Sequence, residues 1–75
     1  MNPTLNQISF LAQTLQRNEN LQKHFDLENA WDKLENITIS QLKYFHLLLQ
    51  TKQYSKLNSL LIDFGFKQKY EQSAK

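Results

Sequence analysis

Residues 37–53 read ITISQLKYFHLLLQTKQ, and this stretch decides the fold because it starts as a well-specified helix and then carries apolar residues on more sides than one core needs. Thr38 and Gln41 have the spacing of a capping box, in which a threonine hydroxyl and a glutamine side chain satisfy each other's backbone N–H groups. Ile37 and Leu42 have the spacing of the hydrophobic staple that often accompanies it. A helix over about 39–51 follows. On an ideal helix Leu42, Phe45, His46 and Leu49 share one side, Tyr44 and Leu47 fall roughly opposite, and Leu48 lies between. Such a helix is either central to a core or part of an interface.

Working outward, Asn2 and Pro3 read as the N-cap and first residue of a helix reaching about residue 17, where the missing proline N–H costs nothing. Its stripe is Leu5, Ile8, Leu11, Ala12 and Leu15, with Phe10 on the opposite side. The segment 19–36 is helical in pattern but changes phase: Leu21 and Phe25 point away from the stripe of Leu27, Ala30, Trp31 and Leu34. Asp26, a good capping residue, marks the expected break, with a short turn of helix at 19–25 and a second helix at 27–36. A short connection then leads to a helix at 55–64, capped by Ser55 and striped by Leu57, Leu60, Leu61 and Phe64. Gly65, the single glycine, fits the left-handed position after that helix and would bring Phe66 onto Leu61 in a Schellman ending. The expectation is an all-α domain over 1–66, a small bundle of four helices, followed by a polar tail at 67–75 that frays unless Tyr70 docks.

Composition sets limits on this domain. A chain of 75 residues buries only about 60% of the surface its unfolded form exposes, so its core leaves a small margin of stability. Cysteine is absent, which removes disulfides and thiolate metal sites as staples and leaves association as the usual supplement. The lack of valine and the scarcity of other β-branched residues and turn formers argue against a sheet. Eight lysines against one arginine, with many Asn and Gln, fit an AT-rich bacterial or mobile-element source. No apolar run approaches the length of a membrane span, and no basic n-region precedes an apolar stretch, so a soluble, cytoplasmic protein is expected. Without a secretory route the sequon at Asn36 is idle.

Charge is uneven along the chain. Residues 1–37 hold three basic and five acidic side chains, net −2, whereas residues 38–75 hold six basic and two acidic, net +4. A split of this kind can steer a polyanion or let two copies meet head to tail, and it also arises on an ordinary solvated surface.

No constellation points to catalysis. One glycine cannot build a phosphate cradle, a dinucleotide fingerprint or a nucleophile elbow, and the serines fall at caps or on polar faces with only His24 and His46 to activate them. His24, Asp26 and Glu28 are near in sequence but flank the expected helix break, and no histidine pair has i, i+4 spacing; neither a metal, a cofactor nor a small-molecule substrate is expected. His46 reads as a histidine at the core boundary, and Trp31 as core.

Two binding readings remain. Phe10, Tyr44, Leu47 and Ile62 each lie opposite the main stripe of their own helix, and aromatic and aliphatic anchors of this kind form protein interfaces. They suggest a small adaptor, inhibitor or accessory subunit centred on the helix at 39–51, acting on a protein partner or as a homodimer. The alternative is a helix-turn-helix-like nucleic-acid binder using Lys52, Ser55, Lys56, Asn58, Lys67 and Lys69. Against it stand a turn without glycine and a basic half without arginine for bidentate guanine contacts.

Overall fold

Thr4, not Asn2, starts the first helix in the computed structural model, which describes residues 2–69. The helix α1 spans Leu5–Arg17. The Gln7 N–H donates to Thr4 Oγ1 at 3.1 Å, and the Thr4 N–H donates to Gln7 Oε1 at 2.7 Å. A helix capped by Asn2 would have Leu5 at the reciprocal position, which has no acceptor to offer, so the chain begins two residues later and closes a full box. Ile8, Leu11, Ala12 and Leu15 are buried as expected, but Leu5, in the first turn at the margin of that stripe, is 68% exposed.

Asn18 ends α1 and starts α2 (Glu19–His24), since its N–H reaches the Leu15 carbonyl at 3.2 Å while its Oδ1 accepts from the Leu21 N–H at 3.1 Å. The expected helix at 27–36 is replaced. Strand β1 (Phe25–Asp26) follows α2, and only after a turn does α3 (Ala30–Leu34) begin, with Asn29 in the left-handed conformation at φ 59°. Asp26 is a breaker, but not a helix cap: its Oδ1 accepts from the Glu28 N–H at 3.1 Å, the local turn that aspartate commonly makes.

The partner of β1 is β2 (Lys67–Gln68), antiparallel, with Phe25 opposite Gln68 and Asp26 opposite Lys67. The Lys69 N–H extends the contact to the His24 carbonyl at 2.8 Å. This sheet overturns two expectations, that strands are absent and that Lys67 and Gln68 fray. None of its four residues is β-branched. The pairing follows burial instead: Phe25 and Leu27 point inward and Asp26 outward, a period of two that a strand satisfies and a helix cannot. Tyr70 lies outside the described residues.

α4 (Ile39–Gln50) carries the box read from the sequence, with the Gln41 N–H on Thr38 Oγ1 at 3.1 Å and the Thr38 N–H on Gln41 Oε1 at 2.9 Å. Its buried side is Leu42, Phe45 and Leu48, rotated from the expected one, so that His46 and Leu49 are half-buried at its edges. The end of α4 has no glycine. Lys52 takes the left-handed position at φ 56°, with the Lys52 N–H on the Leu49 carbonyl at 3.4 Å and the Gln53 N–H on Leu48 at 3.0 Å, the bond pair of a Schellman ending.

Gln53 then serves at once as the last residue of that ending and the N-cap position of α5 (Tyr54–Asp63), without a side-chain cap bond. Ser55, the expected cap, lies inside the helix. At the other end Gly65 adopts φ 94°, its N–H bonds to the Ile62 carbonyl at 2.9 Å, and Phe66 N–H bonds to Leu61 at 3.0 Å. Leu61 and Phe66 are both buried, as this ending requires.

The chain is thus mostly helical, with five helices and one two-stranded sheet among the described residues, rather than a plain four-helix bundle. One core joins them. Leu11 and Leu15 of α1, Leu34 of α3, Phe45 and Leu48 of α4, and Leu57 and Leu61 of α5 are almost fully buried together. The Phe45 ring packs on Phe64 at 5.4 Å and 52°. Trp31 sits at the edge of the core, its indole N–H donating to Ser9 Oγ at 3.0 Å. No polar or charged side chain is buried among the described residues.

A candidate protein-interaction face

Phe10, Tyr44, Leu47 and Ile62, the four apolar residues without a home on their own helices, are 63%, 41%, 49% and 49% exposed. Three of them lie along one course. The Phe10 ring stacks on the His46 ring with centroids 5.8 Å apart and planes 29° apart, which fixes the outer side of α1 beside one flank of α4. Leu47 follows His46 in the chain and stands at the crest of α4, opposite the buried Leu42–Phe45–Leu48 side. Tyr44, one turn before Leu47, leans to the other flank. There it meets an open groove of about 320 Å3 lined also by Lys56, Ser59, Leu60 and Asp63 of α5. Phe10, His46, Leu47 and Tyr44 therefore cross α4 from the α1 side to the α5 side.

Ile62 stands apart. By helical phase it shares the side of α5 that bears Asn58, whereas the groove beside Tyr44 is bounded by Lys56, Ser59, Leu60 and Asp63. Leu5, also exposed, lies one turn of α1 before Ser9, which accepts from the Trp31 indole N–H. The sequence missed two members of the face, His46, which it assigned to the core side, and Leu60, half-buried in the groove. The signal for His46 was its position between Phe45, which is buried, and Leu47, which is not.

A second recess of about 180 Å3 lies between α2 and α5, lined by Asn20, Leu21, His24, Tyr54 and Asn58. Asn18 Nδ2 donates to the Tyr54 hydroxyl at 3.4 Å. Amide donors favour the phenolate, and the hydrogen bonds from Asn18 first and Asn20 next hold the Tyr54 hydroxyl below the usual tyrosine range. The recess is lined by no Ser, Thr or Cys side chain. Among the described residues no three His, Cys, Asp or Glu side chains gather as a metal site, and no helix is long and apolar enough to cross a membrane.

The residues of the nucleic-acid reading are spread out. Lys52 occupies the left-handed turn after α4, Ser55 is exposed on the first turn of α5, Lys56 lines the groove beside Tyr44, and Asn58 lines the recess on the other flank. Lys67 and Lys69 belong to the sheet segment beside His24 and Asp26.

Set against protein-family models, curated proteins and solved structures, the chain finds no match in any of the three.

Proposed function

We propose that this chain is a small non-enzymatic interaction module, an adaptor, inhibitor or accessory subunit, that binds another protein through the outer side of α4. The observation that supports this reading is the Phe10–His46 stack beside exposed Leu47, with Tyr44 on the other flank of α4 at the groove of α5. Single exposed apolar residues such as Leu5 and Ile62 are ordinary on a protein surface; aromatic and aliphatic groups in series beside a recess are typical of binding sites. Self-association as a homodimer is one use of such a face. A cytoplasmic setting suits a chain without cysteine.

The test is the double variant Tyr44→Glu with Leu47→Glu. The wild-type chain is expected to bind an apolar dye or to associate in light scattering at two concentrations, and the variant to lose that behaviour with its helicity intact. Loss of the fold in the variant, or a wild-type monomer that binds no dye, would sink the reading.

A further inference from the structure

We infer that the partner of this face is an acidic amphipathic segment of another protein, seated along α4 with an apolar residue in the groove of α5. The inference rests on the interaction reading above and adds the chemistry of the occupant.

Charge is sorted in space as well as along the chain. α1, α4 and the connection 51–53 contain Arg17, Lys43 and Lys52 and no acidic residue. Arg17 shares the outer stripe of α1 with Phe10, two turns on, and Lys43 lies one turn before Leu47 on the crest of α4; both are exposed. Lys56 lines the groove, where Asp63 is the one acidic member. The apolar course thus has Lys43 and Lys56 beside it against one anion, Asp63, with Arg17 farther along the outer stripe of α1. Five of the seven acidic residues, Glu19, Asp26, Glu28, Asp32 and Glu35, instead occupy 19–35.

A second copy of the chain fits this face poorly in either arrangement. Two-fold pairing sets a patch whose cations outnumber its anions against its own copy, and the excess of like charge across the interface opposes association. Head-to-tail pairing would bring the acidic segment 19–35 onto the cations, but that segment holds none of the large exposed apolar residues and would leave Phe10 and Leu47 without an exposed apolar partner of their own kind. What complements the face is a helix with an apolar stripe and carboxylates on its margins, the helix-in-groove mode of recognition. A lipid headgroup surface would meet Asp63 in the groove, and a nucleic acid presents mainly phosphates to a face whose crest is Leu47.

The experiment pans the full-length chain against displayed helical peptides with leucine fixed at i, i+3, i+4 and i+7 and Glu, Lys or Gln varied at the flanking positions. Acidic flanks should be enriched, and a synthetic copy of the selected peptide should shift the amide resonances of α4 and of Lys56–Asp63. Reversing charge with Lys43→Glu and Lys56→Glu should weaken that peptide by about tenfold or more and enrich basic flanks instead. Lys43→Gln with Lys56→Gln serves the same readout if reversal disturbs folding. Enrichment of neutral or basic flanks on the wild-type face overturns the acidic partner and leaves the interaction reading standing. No enrichment that depends on Leu47, tested with Leu47→Glu, overturns both. Tighter binding of duplex DNA or of phosphatidylserine vesicles than of the selected peptide, abolished by the same charge reversal, overturns the inference in favour of a polyanion.

Discussion

Helices α4 and α5 are neighbours joined by three residues, both bury one side in the same core and both finish in the same hydrogen-bond pattern, yet they are secured differently. α4 begins with a box closed within its own first turn, ends on a strained lysine and keeps a leucine at its outer crest. α5 begins with no side-chain cap bond and ends on the residue best suited to its turn. The difference teaches that α4 is specified locally and at its buried side, so its outer residues are free to serve another purpose.

The largest break in that picture is within α4 itself. Phe45→Ala removes a ring fully buried against Phe64 and should cost about 3–5 kcal/mol in urea denaturation. Leu47→Ala, two residues on, should change stability by less than about 0.5 kcal/mol. A comparable loss at Leu47 would show that its side chain belongs to the core and would remove it from the interaction face.

The two helix endings give the next test. At Gly65, φ is 94° and an added Cβ meets nothing within 4 Å, so Gly65→Ala isolates backbone strain and should cost about 1–2 kcal/mol. Lys52 holds the equivalent position at φ 56° with a Cβ already present. Lys52→Gly relieves that strain but adds freedom to the unfolded chain, and the net change should be a gain of about 0.5 kcal/mol, read as a shift in denaturation midpoint. The two starts contrast in the same way: Thr38→Ala should cost about 1 kcal/mol, whereas Ser55→Ala should be nearly neutral because Ser55 caps nothing.

These positions also show what the sequence could reveal. Thr38–Gln41 and Gly65 were legible because each residue type has a narrow physical use: a reciprocal cap, and a left-handed backbone. Thr4–Gln7 carries the same signature, yet Pro3 drew the reading to Asn2. The ending at Lys52 was hidden because glycine is the usual residue at that left-handed position and a lysine gives no such signal. The sheet was hidden because its register joins residues 25–26 to 67–68, and no local pattern announces a partner forty residues away. Of the face, the exposed position of Phe10, Tyr44 and Leu47 followed from helical phase. Its assembly did not, because phase cannot say that Phe10 lies beside His46 or that Ile62 faces elsewhere.

The smallest expected effect concerns how α5 is held at its start. Lacking a local cap, its first residue, Tyr54, receives a hydrogen bond from Asn18, the residue that separates α1 from α2. The bond from Asn18 favours the phenolate, so Tyr54 ionises below the usual tyrosine range in the folded chain. The unfolded chain then binds more protons than the folded one across the interval from that lowered value up to about 10, and stability from this group rises with pH there. It is complete above the unfolded value and lost as pH falls through the folded one. In absorbance at 295 nm the tyrosinate transition that Tyr54→Phe removes should move upward in Asn18→Ala. A Tyr54 transition that does not move in Asn18→Ala would mean that α5 is not tethered at its start by Asn18, and the contrast with the self-contained start of α4 would fall with it.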